Sequence, residues 1–282
     1  MVTGIRGFSR ATAFVAAVAL AVSAPAAGVA AAVSPATAYD RQVLQDKPCA
    51  YYNSASATAW TDRVTGARAG FAKAGHGWSL LGGRRVPVFN GRDQYALIGD
   101  RACFSVPPGG ALTLQAWIKP AATRFARTEQ TGYVWWAGKG DRSGPSGDRE
   151  WGMRMYSLDN TEDRANRISG YVFGRQGGRG AGSQFQDPIT IGQWIHVTFV
   201  INWGARSAQY PHGYTRMYRD GVLRQTASIA DYPDVVPTNG KAPVRIGTRD
   251  GKSFFAGAVA DFAFYPRELS AQRIAAQARA MR

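Results

Sequence analysis

The chain has 282 residues, with 34 Lys+Arg against 19 Asp+Glu and therefore a formal net charge of +15. A chain of this length can bury a sizeable core and does not need a metal ion or disulfide bonds to fold. It contains no run of five or more bases and no nucleic-acid-binding fingerprint, which argues against a dedicated nucleic-acid-binding protein. The charge is expected to attract an anionic polymer, unless it reflects only a bias towards arginine spread evenly over a solvated surface.

The first 38 residues have the pattern of a secretory signal peptide. Two arginines precede a mostly apolar, uncharged run at 11–22, and Ala36-Thr37-Ala38 offers small residues for cleavage. Ala30-Ala31-Ala32 is an alternative cleavage site. An uncleaved anchor is a further alternative, although the run is shorter than the roughly 18 residues that a membrane span needs. We therefore expect a secreted, extracellular protein with one domain over residues 39–282 and no transmembrane helix after cleavage.

The two cysteines, Cys49 and Cys103, both lie in the expected mature chain. An even cysteine count in a secreted protein predicts one disulfide bond. Closing a loop of this length stabilises the fold by roughly 4 kcal/mol on the chain-entropy model. The alternatives are a catalytic thiol, for which the sequence offers no obvious histidine partner, and a metal site, for which two isolated cysteines are a poor ligand set.

Short apolar segments, separated by turn residues, occur one after another along most of the mature chain. Those predicted as strands are 86–89, 94–98, 111–118, 132–137, 150–156, 168–173, 193–202, 215–219, 222–226, 244–247 and 257–265. Asp220-Gly221 separates two of them and favours a tight hairpin turn. Pro266 ends the last strand because it has no N–H for the ladder, and Ser270 is placed as the N-cap of a short helix. Apart from the signal and this tail no helix of ten or more residues is predicted, so the pattern indicates an antiparallel sandwich.

Six motifs in a fixed order resemble those of bacterial laminin-G-like domains. They are Phe89-Asn90-Gly91, Ala116-Trp117-Ile118-Lys119-Pro120, Gly192-Gln193-Trp194-Ile195-His196-Val197, Tyr218-Arg219-Asp220-Gly221, Ile246-Gly247 and 257–274. The resemblance covers about residues 45–276. It implies an all-β, two-sheet antiparallel jelly roll of the concanavalin A-like lectin/glucanase type, closed by a short C-terminal helix. Domains of this kind mostly bind glycans or extracellular partners, and a minority cut polysaccharides.

The resemblance also implies candidate ligands for a structural calcium ion. Members of the superfamily can hold calcium with acidic residues in the closing strand, but here Ala260 stands where many carry an Asp and Asn90 replaces an acidic turn residue. Asp62 and Asp261 are the remaining candidates, and no short Asp-rich loop supplies the six to eight oxygens that calcium needs. The alternative is that Asp62 is a turn residue and Asp261 pairs with an arginine. No other cofactor motif is present.

Two kinds of polysaccharide-cleaving site are alternatives to binding. A glycosidase needs paired carboxylates, and the nearest match is Asp148 and Glu150, which lack the third acid found on jelly-roll glucanase strands. A lyase needs a base and a proton donor, commonly His and Tyr, and the loop at 210–214 contains both around His212. The strand motifs of lyases on this fold are absent. The sequence therefore favours a protein without catalytic residues.

Aromatic and basic residues are the candidate ligand contacts, because sugar rings pack on aromatic faces and arginine forks match acidic groups. Trp135 and Trp136 are adjacent on one strand and must face opposite ways, so one of them is expected in a groove or exposed. The candidate set is Trp135, Trp136, Trp151, Tyr156, Tyr171, Arg142, Arg175 and Arg179. The alternatives are ordinary core for the rings and surface loops for the arginines. We expect binding of an extracellular, acidic glycan or anionic polymer, and a structural or adhesive protein is the third class.

Overall fold

The computed structural model describes residues 1–4, 33–56, 59–141, 149–174 and 177–282. Most of the predicted signal segment lies outside these residues, as do the candidates Arg142 and Arg175, so those assignments stay predictions. The unit described below is Val33–Arg282. Among the described residues no helix combines the length and the apolar character that a membrane crossing requires.

Sixteen strands and two α-helices run through the described part of this unit. The strands are β1 (Ala50–Ser56), β2 (Ala59–Asp62), β3 (Gly70–Ala72), β4 (Gly77–Leu81), β5 (Arg84–Asn90), β6 (Tyr95–Ile98), β7 (Ala111–Pro120), β8 (Tyr133–Lys139), β9 (Trp151–Tyr156), β10 (Ile168–Gly174), β11 (Gly177–Phe185), β12 (Ile195–Asn202), β13 (Tyr214–Arg219), β14 (Val222–Ser228), β15 (Val244–Ile246) and β16 (Ala256–Tyr265). The helices are α1 (Pro35–Gln45) and α2 (Ala271–Ala280).

The strands form two antiparallel sheets, which confirms the predicted jelly-roll sandwich. The nine-stranded sheet has the order β14-β13-β12-β7-β16-β1-β2, with β5 also paired to β16 and β4 to β5. The seven-stranded sheet has the order β11-β10-β9-β8-β15-β6-β3. Because side chains alternate along each strand, each sheet has one face in the shared core and one face turned outward.

The core between the sheets is built from the inward residues of both. On β16 the inward rings are Phe262 and Phe264, and Trp151 of β9 stacks on Phe262 with centroids 6.4 Å apart. The indole N–H of Trp151 donates to the carbonyl of Phe104 at 2.7 Å, which satisfies its one polar group. Trp136 of β8 lies in the same core, 6.3 Å from Phe262.

Two helices cover the outer face of the nine-stranded sheet. Helix α1 was not predicted, because its residues were assigned to the signal peptide and the start of the mature chain. Ser34 caps it by accepting the Thr37 N–H at 3.3 Å, and its next residue is a proline, which suits the first turn. Tyr39 and Val43, one turn apart, are fully buried, so α1 is a packed part of the domain. It begins four residues before the expected boundary at residue 39.

The predicted disulfide between Cys49 and Cys103 is confirmed, with a Cα–Cα distance of 6.4 Å and a sequence separation of 54 residues. It joins the residue before β1 to the short 3-10 helix Ala102–Phe104. Both cysteines pack against the core between the sheets. The bond therefore fastens the start of the sandwich to the segment that leads into β7.

Candidate functional site

A groove of about 600 Å³ lies on the outer face of the seven-stranded sheet, above β8 to β11. Its floor is formed by outward side chains of these strands. Its walls come from the segment after β9, with Glu162 and Arg164, and from residues 231 and 232 after β14. The two helices cover the other sheet, so this face of the sandwich has no helical cover among the described residues.

The floor consists of large rings packed against glycines. Three outward rings lie against glycines of the neighbouring strand: Trp135 against Gly152, Phe173 against Gly180 and Tyr171 against Gly182. A Cβ atom on Gly152 would lie 2.3 Å from Cζ3 of Trp135, a distance that real Cβ atoms do not reach. The missing side chains thus create the space that the rings occupy, and the face becomes an aromatic platform whose rings meet mostly edge to face or tilted.

Arg154 of β9 lies at the centre of this platform. Its guanidinium carbon is 4.0 Å from the ring centroid of Tyr133, 4.2 Å from that of Trp135 and 4.4 Å from that of Tyr171. Its Nη1 donates to the Tyr156 hydroxyl at 3.3 Å, while its Nε is buried without a hydrogen-bond partner. Among the described residues no carboxylate pairs with it. Its positive charge is held by ring faces and one phenol hydroxyl, which attract a cation but do not neutralise it.

A hydrogen-bonded pair of phenols lies beside this arginine. The hydroxyls of Tyr156 and Tyr171 are 3.2 Å apart, and Nη1 of Arg164 donates to Tyr156 at 3.4 Å. Burial by itself would raise the pKa of Tyr156, but the charge of Arg154 and these hydrogen bonds lower it below its ordinary value. Burial and the neighbouring Tyr156 raise the pKa of Tyr171 to about 12. Tyr171 therefore keeps its proton at neutral pH.

The lining of the groove is strongly basic. The basic residues are Arg149, Arg154, Arg164, Arg167, Arg179, Arg249 and Lys252, and the acidic ones are Glu129, Glu162 and Asp231. Arg249 is paired with Asp250 at 2.6 Å and Arg164 with Glu162 at 3.1 Å. The excess of positive charge over a partly enclosed surface favours an anionic ligand.

The structure distributes the candidate residues over two environments. Tyr156, Tyr171 and Arg179 line the groove, and Trp135 lies directly under Arg154. Trp136 and Trp151 point into the core instead, on the opposite face of the same sheet. All four candidate rings other than Tyr171 are fully covered, so Trp135 acts through the platform and not as an exposed contact.

Sequence reasoning did not select several groove residues, of which Arg154 is the most central. A usable signal was present: Arg154 is two residues before Tyr156 on an alternating strand, so both had to share a face. For Tyr133 the same argument holds relative to Trp135. Arg249 had no such signal, because it reaches the floor from the segment after β15, and no local pattern predicts that contact.

Of the residues that the sequence suggests for catalysis, Glu150 and His212 lie outside the groove lining. Glu150 is buried and paired with Lys139, and it accepts the Gly240 N–H at 2.9 Å. Burial raises its pKa although Lys139 opposes this. Asp148 lies outside the described residues. None of the described lining residues is a histidine, and His212 packs against Trp203 instead.

The two candidate calcium ligands are each neutralised by an arginine. Asp62 accepts the backbone N–H groups of Tyr51 and Val64 and pairs with Arg101 at 2.9 Å. Asp261 pairs with Arg84 at 2.5 Å, and burial raises its pKa to about 6 although Arg84 opposes this. No group of three or more His, Cys, Asp or Glu side chains suited to a metal occurs in the described ranges. These residues thus do not assemble the oxygen set of a calcium site, and calcium binding stays a prediction.

The chain belongs to the concanavalin A-like lectin/glucanases superfamily, because a laminin-G-type family model of that superfamily matches residues 90–275. No curated protein sequence matches the chain. The family assignment agrees with the resemblance seen in the sequence motifs.

Solved structures of similar fold include domains crystallised with sugars. The binding domain of botulinum neurotoxin DC in complex with SialylT has a TM-score of 0.59 and 10% identity, over 85% of this chain and 52% of that one. The serotype D ligand-binding domain in complex with N-acetylneuraminic acid has a TM-score of 0.57 and 14% identity, over 84% and 52%. The chain therefore spans about half the length of these neurotoxin domains.

A third similar structure is matched over nearly its full length. It is domain 4 of AbnA, a GH43 extracellular arabinanase from Geobacillus stearothermophilus, in complex with arabinotriose. The TM-score is 0.56 at 15% identity, over 82% of this chain and 98% of that domain. At these identities the likeness establishes a lectin-like fold.

Proposed function

We propose that this chain is a secreted, non-catalytic carbohydrate-binding protein that takes an acidic glycan in the groove above β8 to β11. The observation that carries the proposal is Arg154, a guanidinium stacked among three rings with no carboxylate partner among the described residues. An anionic group on the ligand supplies the missing counter-charge. Charge-assisted hydrogen bonds of this kind are about twice as strong as neutral ones.

The groove also has the dimensions and the mixed lining of a saccharide site. Its volume of about 600 Å³ falls within the roughly 300–1,000 Å³ that is common for ligand pockets. Tyr171 is half-buried, so part of its side chain is open to a sugar, and Gln184 and Gln225 offer amides for hydroxyl groups. A sugar that carries a carboxylate, sulfate or phosphate satisfies both the rings and the arginines.

The non-catalytic part of the proposal is supported by two of the three acids in the groove, Glu129 and Glu162, which are already engaged. Glu129 accepts the Ser253 hydroxyl at 2.8 Å. Glu162 accepts the Thr131 hydroxyl at 2.8 Å and pairs with Arg164. Carboxylates held in this way are poorly placed to exchange protons with a glycosidic oxygen. Secretion is supported by the N-terminal pattern and by the disulfide bond.

The test is titration calorimetry of the purified protein with polygalacturonate and with a neutral arabinan, at low and at high salt. We expect salt-sensitive binding of the acidic polymer and at least tenfold weaker binding of the neutral one. Arg154→Gln is expected to weaken acidic binding by roughly 10- to 100-fold, since a hydrogen bond to a charged group contributes about 1.5–3 kcal/mol. Arg41→Gln removes an exposed arginine from α1, on the other side of the sandwich, and is the matched control.

The proposal is overturned if the acidic polymer does not bind, or if Arg154→Gln and Arg41→Gln bind equally well. Release of new reducing ends or of unsaturated uronate from the polymer overturns its non-catalytic part. Circular dichroism and the melting temperature of each variant separate a loss of binding from a loss of folding.

A further inference from the structure

A second surface that combines aromatic and basic side chains lies on the β4–β5 hairpin. Trp78 of β4 is 39% exposed and Leu80 is 62% exposed, whereas the other seven tryptophans are buried or half-buried. Trp78, Ser79, Leu80, Arg85 and Lys119 line a recess of about 410 Å³. Exposed apolar groups gathered around a recess often mark a binding surface.

The recess is held in place by contacts between the hairpin and the rest of the large sheet. Nζ of Lys119 on β7 lies 3.1 Å from the Ser79 hydroxyl, and the indole N–H of Trp194 donates to the Leu80 carbonyl at 2.8 Å. Lys119 also lies 5.8 Å from the ring centroid of Trp194. Contacts from Lys119 of β7 and from Trp194, the residue before β12, thus hold the β4–β5 hairpin in place at the bottom of the recess.

The recess carries positive charge without a counter-charge. Its lining contains Arg85 and Lys119 and no acidic residue, and neither cation pairs with a carboxylate among the described residues. Arg85 is exposed, while Lys119 is half-buried at the bottom. The combination of an exposed indole with two unpaired cations repeats, on a smaller scale, the chemistry of the groove.

We infer that this recess is a second saccharide site, which takes one acidic sugar unit with its ring against Trp78 and its anionic group towards Arg85 and Lys119. The choice of an acidic sugar rests on the proposed function, but the site itself is formed by different residues. A saccharide fits better than a membrane surface, because the half-buried Lys119 is reached by a protruding sugar acid and not by a flat layer of headgroups.

The two sites lie on different sides of the sandwich. The groove is on the outer face of the seven-stranded sheet, and the recess is formed by the hairpin and strand β7 of the nine-stranded sheet. The protein is therefore bivalent and links two polymer chains, so its affinity for a dense polymer exceeds that of either site.

The test is a titration of ¹⁵N-labelled protein with trigalacturonic acid, followed by the indole N–H signals of the eight tryptophans. Trp135 reports on the groove, and Trp78 and Trp194 report on the recess. We expect both groups of signals to shift in the wild type, and only the recess signals to shift in Arg154→Gln. Trp78→Ala and Arg85→Gln are expected to weaken recess binding by about tenfold, and to abolish precipitation by long polygalacturonate.

Two variants serve as matched controls. Leu158→Ala removes an apolar side chain that is 40% exposed on another surface, and Arg92→Gln removes an exposed arginine beyond the far end of β5. Both are expected to bind and precipitate polymer as the wild type does. Equal loss in Arg85→Gln and Arg92→Gln overturns the inference.

The outcomes separate this inference from the proposed function. If the Trp78 and Trp194 signals stay unchanged while Trp135 responds, the recess is not a saccharide site and the groove stands. If only the recess signals respond, the groove proposal fails and the second site stands. Vesicles of phosphatidylglycerol and phosphatidylcholine are the third arm: a shift of Trp78 with vesicles and not with sugar overturns the saccharide assignment in favour of a membrane contact.

Discussion

The sharpest structural prediction concerns Gly152, the glycine beneath Trp135. We expect Gly152→Ala to destabilise the domain, although alanine is normally better tolerated than glycine in a strand. Gly152 does not have a positive φ, so its backbone accepts alanine. The obstacle is the ring: the new Cβ would lie 2.3, 2.6 and 3.1 Å from three carbon atoms of Trp135.

The ring has little freedom to move away. Trp135 is fully buried, and the guanidinium carbons of Arg154 and Arg249 each lie 4.2 Å from its centroid. Extra volume in a packed site costs about 1–3 kcal/mol. Where there is room, a glycine-to-alanine change stabilises by about 0.4–1 kcal/mol through the unfolded chain. Gly70 is such a place, because a Cβ there meets nothing nearer than a carbonyl oxygen at 4.0 Å.

The measurement is the free energy of unfolding in urea for the wild type, Gly152→Ala and Gly70→Ala. We expect Gly152→Ala to be less stable than Gly70→Ala by about 2–3 kcal/mol. In a Trp135→Ala background the cost of Gly152→Ala is expected to disappear, since two residues in contact are not additive. Equal stability of the two single variants, or a cost that persists without the Trp135 ring, refutes the account of the platform.

Three further predictions concern stability and processing. Burial lowers the pKa of His196 from 6.5 to about 3. The contribution of His196 to the free energy of unfolding is therefore fully present above about pH 6.5 and is lost as the pH drops towards 3. In urea unfolding, His196→Phe is expected to flatten this pH dependence, and an unchanged pH dependence contradicts the buried, neutral state of His196. Replacing Cys49 and Cys103 with alanine is expected to lower the free energy of unfolding by roughly 4 kcal/mol, and a loss below about 1 kcal/mol counts against a stabilising disulfide. Helix α1 is capped and packed from its first turn. Signal cleavage is therefore expected after Ala32, so that the mature chain begins at Val33. Intact-mass spectrometry of the secreted protein checks this, and a mature chain that begins at residue 39 contradicts it.

Much of the fold was readable because its signals are local. Strands β7 and β12 alternate so regularly that their two faces follow from the sequence alone. The disulfide followed from the cysteine count and the expected compartment. Helix α1 escaped prediction because its small apolar residues also suit the end of a signal peptide, and only its contacts with α2 and the sheet distinguish the two.

The candidate site was only partly readable. Alternation showed that Trp135 and Trp136 face opposite ways, but it does not say which face meets the other sheet. That choice depends on what packs from the other sheet: Phe262 covers Trp136, while Arg154 and Arg249 cover Trp135.

The sequence by itself predicted eleven of the sixteen described strands, their alternation and the family to which their order belongs, because these depend on neighbours along the chain; β1 to β4 and β11 were not predicted. The tertiary structure alone decided that glycines would seat the rings and that Arg154 would be left without a carboxylate partner among the described residues. It also brought Lys119 beside the β4–β5 hairpin. These features arise from contacts between strands that are distant in sequence, where packing and charge depend on which surfaces the fold brings together.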